Sequence, residues 1–345
     1  MVKGTLQQLR IEKKKSTMKR QWTLVFLTCG GFLLANAQPA VDDEPEAGGK
    51  AIITIHTNLH SGFGAQNGTR GFTLDRSYLG YQYTLKNGLE FKAVMDVGQS
   101  DDVNDYERIA YIKHAQVTWR HKGLTLSGGL ISTTQFKTQE SFWGLRYVMK
   151  SFQDEYKFGS SADMGISAAY RFTSWLSADV IVANGEGYKK LQVGDGLQYG
   201  AGVPLTPLKG LTLRGYVSYN EAADDEEAGI TNWNVFAGYA CKAFSLGAEY
   251  NSQTNAGHVD AHGQSGCSVY STISINKRIG IFGRWDYLTS KHGWNESGDG
   301  MAGVLGADFK FGRNIRLSPN VRVWSPKAEG AGNEYFAYIN CSFSI

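Results

Sequence analysis

The chain has 345 residues, room for one large domain or two, and is rich in glycine and aromatic residues (Gly 42, Tyr 18, Phe 17, Trp 8) with only 6 Pro. At 42% apolar residues it is too polar for a bundle of membrane helices, and beyond Ala37 no run of about 18 apolar residues occurs that could span a bilayer as a helix. Residues 1–37 hold seven Lys/Arg and one Asp/Glu, so of the 35 basic and 32 acidic side chains in the chain 28 and 31 fall in residues 38–345, a balance that makes no case for nucleic acid binding.

The first element reads as a targeting segment. From Met18 the sequence gives Lys19 and Arg20, an apolar stretch from Trp22 to Leu34, and then Ala35-Asn36-Ala37 before Gln38. A short charged region, an apolar core too brief to span a bilayer and an A-x-A site predict secretory export, with translation starting at Met18 and cleavage after Ala37. Cys29 leaves a lipoprotein alternative, although Thr28 stands where a small Gly or Ala is wanted. Gln38 to Gly49, QPAVDDEPEAGG, reads as an acidic periplasmic leader, and residues 50–345 form the folded part.

From there, segments of alternating character recur. They lie near 50–60, 71–85, 88–99, 107–121, 123–131, 161–172, 175–184, 195–206, 210–221, 231–242, 243–253, 266–277, 279–290, 299–311, 314–325 and 334–345, sixteen in all. In GLTLRGYVSY, for example, Leu211, Leu213, Val217 and Tyr219 share one face, and Thr212, Arg214, Tyr216 and Ser218 the other. Seven of the links are tight turns and the alternate eight are longer and polar. An even number of antiparallel strands with short turns at one end and long loops at the other predicts an all-β fold, a transmembrane antiparallel β-barrel of sixteen strands. Such a ring leaves no strand edge in lipid, and at this size its interior is too wide for wall side chains to fill. Tyr81, Tyr83, Trp119, Trp175, Trp233, Tyr239, Trp285 and Tyr287 fall near the ends of presumed spans, as interfacial girdles do. Cys241, Cys267 and Cys341 are too few, and odd in number, for a disulfide framework.

One segment breaks the pattern. In ESFWGLRYVMKSFQDEYKF the apolar residues Phe142, Leu145, Met149, Phe152 and Tyr156 recur at spacings of 3 and 4, which predicts a short helix within the third long loop, 132–160. Its apolar seam has to pack on the inner barrel wall, on a subunit interface or on the membrane surface. The first is the expectation here, making Lys137, Arg146, Lys150 and Asp154 candidate residues of a pore constriction.

Alternation assigns to the lumen wall Lys92, Arg120, Arg171, Arg214, Arg284, Lys310, Arg316 and Arg322 against Glu90, Asp96, Asp179, Glu249, Asp286 and Asp308. Eight bases against six acids suit a water-filled interior and lean toward anions. His258, Asp260 and His262 have metal-capable side chains but no further ligand set, and SGFGAQNG is not followed by a helix that would make it a phosphate loop. No G-x-S-x-G motif occurs, so no enzyme and no cofactor or metal is expected.

The loop segment running on through KFGSSADMGISAAYRF, together with GFTLDRSYLGYQYTLKNGLEFKAVMDVG and YIKHAQVTWRHKGLTLSGGLIS upstream, resembles the phosphate-selective porin O/P family of Bacteroidota-type outer membranes. The likeness covers most of residues 38–345 and is clearest from about Gly71 to Phe172. It implies a sixteen-stranded, usually trimeric barrel whose third loop enters the lumen, and phosphate-specific members carry a ladder of arginines and a lysine cluster there. Arg146, Lys150 and the wall arginines are the positions that match, while Asp154, Asp286 and Asp308 interrupt a ladder. The expectation is a bacterial outer-membrane porin for passive diffusion of small hydrophilic solutes or anions, embedded in outer-membrane lipid and assembled as a homotrimer. The alternative is a structural or interaction barrel closed by its own loop.

Overall fold

The computed structural model describes residues 47–345 except 101–103, 193 and 225. The expected start at Met18, the cleavage after Ala37 and residues 38–46 of the expected leader 38–49 lie outside these residues, while Gly48 and Gly49, expected in the leader, already pair with Thr84 and Tyr83 as the start of the first strand.

Sixteen strands form one closed barrel: β1 (Gly48–Gly64), β2 (Arg70–Thr84), β3 (Leu89–Ser100), β4 (Asn104–His121), β5 (Leu124–Ser132), β6 (Ala162–Arg171), β7 (Ser177–Ala183) and β8 (Gln198–Leu208) make the first half. The second half is β9 (Leu211–Asn220), β10 (Ile230–Ala240), β11 (Phe244–Thr254), β12 (Gln264–Ser274), β13 (Ile279–Ser290), β14 (Gly300–Phe311), β15 (Ile315–Pro326) and β16 (Glu334–Ser344). Each strand pairs antiparallel with its sequence neighbours, and β1 closes the ring on β16, from Thr54 opposite Ser344 to Gly64 opposite Glu334. That last register explains why β1 runs past the expected end at residue 60: His60 to Gly64 still have partners in Tyr338 to Glu334.

The two faces differ as lipid and water demand. Along β10, Asn232, Asn234 and Phe236 are buried, while Trp233 and Val235 between them are exposed. The same alternation leaves Val117, Trp119, Ile166, Val180, Val217, Ile281, Trp285, Leu305 and Val321 exposed around the outside. An outer surface this apolar is stable only against hydrocarbon, and the unbroken ring satisfies the backbone there.

The link from β5 to β6, residues 133–161, folds back into the barrel. The seam from Phe142 to Tyr156 is expected to form one helix, whereas the structure has two short ones, α1 (Lys137–Trp143) and α2 (Phe152–Glu155). Gly144 ends α1 in the left-handed conformation (φ 63°), which glycine adopts without a Cβ penalty. Residues 144–151 then leave the helix, and the wall takes up their carbonyls: Arg316 donates to Gly144 O (3.0 Å), Asn340 to Tyr147 O (3.0 Å), Arg322 to Val148 O (2.6 Å) and Arg284 to Lys150 O (2.5 Å). The helix breaks because these donors replace intrahelical hydrogen bonds, so few polar groups of the unwound stretch are left unpaired.

Candidate pore constriction

The loop is fixed to one side of the barrel by its apolar residues. Trp143, Leu145, Tyr147 and Val148 are buried in a cluster with Phe236, Tyr270, Phe282 and Val304 of the wall, with Phe142 and Met149 at its margin. A second cluster joins Phe152 and Phe158 to Leu288, with Tyr156 against it. The wall makes room with glycine: a Cβ on Gly238 would lie 2.6 Å from the Phe142 ring, and one on Gly266 2.5 Å from that of Phe152. Burial holds the Tyr147 and Tyr156 phenols above their usual pKa, so both stay neutral donors, to Asp308 (2.7 Å) and to Asp286 (3.2 Å).

The other side of the loop carries charge. Arg146 pairs with Glu140 (3.0 Å) and Asp154 within the loop and points Nη1 at the Tyr78 hydroxyl of β2 (3.5 Å). Burial works against its charge, but Tyr78, Asp154 and Glu140 outweigh burial and raise its pKa, so it is a fixed cation. Across from it, Lys113 of β4 donates to the Tyr78 hydroxyl (3.1 Å) and to Ser161 Oγ (3.0 Å), and Arg76 of β2 pairs with Asp96 of β3.

Arg76 and Lys113 reach this place through two β-bulges. On β2 the register slips so that His56 faces Arg76 and Thr57 faces Leu74, with Asp75 as the extra residue. On β4, Val94 faces His114 and Met95 faces Ile112, which leaves Lys113 over. A bulge turns two consecutive side chains to one face. Lys113 and His114 are accordingly both buried inside, and strict alternation misses Arg76 and Lys113. The signal is nevertheless in the sequence as a parity change: apolar residues sit at Phe72 and Leu74, then at Leu79, Tyr81 and Tyr83; and at Ala110 and Ile112, then at Val117 and Trp119.

Two cavities adjoin Ser161 from opposite ends of the barrel. The one toward the tight turns, about 510 Å³, is bordered by Lys50, Lys92, Lys113, Lys137 and Arg146, with Glu140 as its one acidic side chain among the described residues. The one toward the long loops, about 870 Å³, is bordered by Arg76, Lys150, Lys157, Lys189 and Lys190, matched by Asp154, Glu186, Glu221, Asp224 and Glu227. The turn-end cavity is therefore strongly basic and the loop-end cavity is balanced.

Each residue assigned from sequence has a distinct place. Lys137 and Arg146 border the turn-end cavity with Lys92, and Lys150 and Asp154 border the loop-end one. Arg214, Arg284 and Arg322 are on the inner wall but behind the loop: Arg214 is paired with Asp179 (2.6 Å) and bonded to Thr134 O (2.9 Å), and Arg284 is paired with Asp286 (2.6 Å). Arg322 lies over the Tyr338 ring (3.7 Å). Arg316 pairs with Asp308 (2.7 Å), and Arg171 is an exposed residue at the turn end of β6. Arg214, Arg284, Arg316 and Arg322 hold carbonyls or carboxylates, a role that alternation cannot distinguish from lining an open lane.

The closed ring, apolar outer surface and in-folded third loop define a porin-type transmembrane β-barrel. No family model matches the sequence, and no curated protein matches it. Solved structures do. An anion-selective porin from Comamonas acidovorans is similar at 14% identity over 87% of this chain and 100% of that one, with a TM-score of 0.64. OprB of Pseudomonas putida is similar at 12% identity over 86% and 94% of the two chains (TM-score 0.66), and the outer-membrane channel DcaP of Acinetobacter baumannii at 11% over 88% and 99% (TM-score 0.63). At these identities the likeness shows the fold, and the fold is that of the outer-membrane porins.

Proposed function

We propose that this chain is a bacterial outer-membrane porin that lets small hydrophilic solutes diffuse passively, with a modest preference for anions and with loop 133–161 setting the narrowest point. The observation that carries this reading is the turn-end cavity, where five basic side chains stand against one acidic side chain among the described residues, next to the loop and Ser161. A solute crossing between the cavities passes Arg146 on one side and Lys113 on the other. Rings of fixed cations favour anions in this way. Asp96, Glu140 and Asp154 interleave with those cations, so the preference is for small anions generally, and the phosphate selectivity of the resembled O/P family is not part of the reading.

Purified protein in a planar bilayer is expected to give defined conductance steps, and in a salt gradient a reversal potential of the sign that marks anions as the more permeant ion. Silence from well-folded barrels would leave a structural barrel closed by its loop, and a cation-signed potential would remove the anion preference. The homotrimer is part of the same proposal and is tested by native mass spectrometry in detergent.

A further inference from the structure

The first turn of a second long loop, up to Tyr188, also enters the lumen. Residues 184–197 link β7 to β8, and their first turn is pinned to β6: Asp163 Oδ2 accepts the backbone N–H of Gly185 (2.8 Å) and of Gly187 (3.2 Å), and Tyr188 N–H donates to Ala162 O (2.9 Å). This turns Tyr188 across the interior onto the wall of β2, β3 and β4. Its hydroxyl donates to Asp96 Oδ2 (2.6 Å) and accepts from Arg76 Nη1 (3.0 Å), closing a three-membered circuit with the Arg76–Asp96 pair. Its ring packs edge-on against Tyr111 and lies 4.9 Å from Lys113 Nζ, which is also 4.8 Å from the Tyr78 ring. Among the described residues no carboxylate comes within 4.0 Å of that ammonium, whereas Arg76 has one and Arg146 has two.

We propose that Tyr188 is the second jaw of the constriction and a determinant of its selectivity: the ring limits the width opposite loop 133–161, and the hydroxyl keeps Asp96 committed to Arg76, leaving Lys113 as the charge a passing ion meets. This rests on the channel reading above. Burial raises the Tyr188 phenol above its usual pKa, so the hydroxyl remains a donor to Asp96 at neutral pH. Ring and hydroxyl do different work, so two substitutions separate them.

Single-channel conductance and reversal potential are compared for the wild type, Tyr188→Phe and Tyr188→Ala. Tyr188→Phe keeps the ring, and with it the fold; its conductance should stay near the wild-type value while the anion-to-cation permeability ratio falls about twofold, because Asp96 loses a donor. Tyr188→Ala should show the same fall and, in addition, a conductance raised roughly 1.5- to 2-fold. A packing role alone would lower the yield of folded barrels without moving the Phe variant's ratio. Wild-type values in both variants, beside a conducting wild type, overturn the Tyr188 proposal and leave the channel standing; a silent wild type overturns both.

Discussion

On the proposed porin reading, replacing Arg146 by glutamate is expected to turn an anion preference into a cation preference. Arg146 reaches the opposite wall, with Nη1 3.5 Å from the Tyr78 hydroxyl, and it balances Glu140 and Asp154. The substitution puts a third carboxylate beside those two. Changing one fixed charge from positive to negative shifts a monovalent ion about 4 Å away by about 2 kcal/mol in a water-like medium, and screening over about 10 Å at 0.1 M salt reduces this. The permeability of each ion changes by roughly tenfold, downward for anions and upward for cations, enough to carry a modest preference past unity. Arg146→Gln should fall between. Adding Lys150→Glu should change little more, because Lys150 borders the cavity where acids and bases are matched. If Arg146→Glu conducts normally at an unchanged reversal potential, ions take a path that avoids the loop.

The barrel is easy to read because its wall faces lipid on one side and water on the other, so nearly every strand prints the same period-two pattern. The alternation of tight and long links follows from strands that cross and return, and the closed β1–β16 seam only completes it. The candidate constriction is harder to read for three physical reasons. Bulges at Asp75 and Lys113 reverse the parity within β2 and β4, so Arg76 and Lys113 come to the inner face against the pattern. The seam from Phe142 to Tyr156 does mark wall-facing residues, but periodicity cannot show that Arg284, Arg316, Arg322 and Asn340 will draw out the carbonyls between α1 and α2 and break the helix. Tyr188, finally, lies in a polar loop with no periodicity, and its position depends on Asp163 of another strand. For the helix break and for Tyr188 the partner is distant in sequence and local patterning carries no information about it, whereas the bulges leave a parity change in the apolar positions as their one local trace.

The same separation gives the barrel and the loop different sources of stability. The ring is held by backbone hydrogen bonds between neighbouring strands, and no strand pairing involves residues 133–161. The loop is held by side chains: two apolar clusters and a row of captured carbonyls. The loop can therefore loosen while the barrel stays closed, a graded stability within one fold.

Trp143 is where that difference is most open to test. It is 2% exposed; its ring meets Tyr270 and Phe282 at centroid distances of 5.7 and 6.0 Å, the Arg284 guanidinium lies over it at 5.3 Å, and its Nε1 donates to Met149 O (2.7 Å). Trp143→Ala removes all four contacts at once, and truncations of buried tryptophan cost about 3–5 kcal/mol. Here that cost falls on the attachment of the loop. The expected result is a barrel that still shows the heat-modifiable mobility of a folded ring on gels, with a larger and noisier single-channel conductance and faster passage of solutes too bulky for the wild type. The permeability ratio should move toward unity, because Arg146 and Lys137 are no longer held beside the turn-end cavity. Trp143→Phe, which keeps an aromatic ring in the cluster and loses the donor to Met149, should lie between the two. A Trp143→Ala channel with the wild type's steady conductance and size limit would mean that the loop is held without its tryptophan or does not set the narrowest point, and the Arg146→Glu reversal potential distinguishes the two.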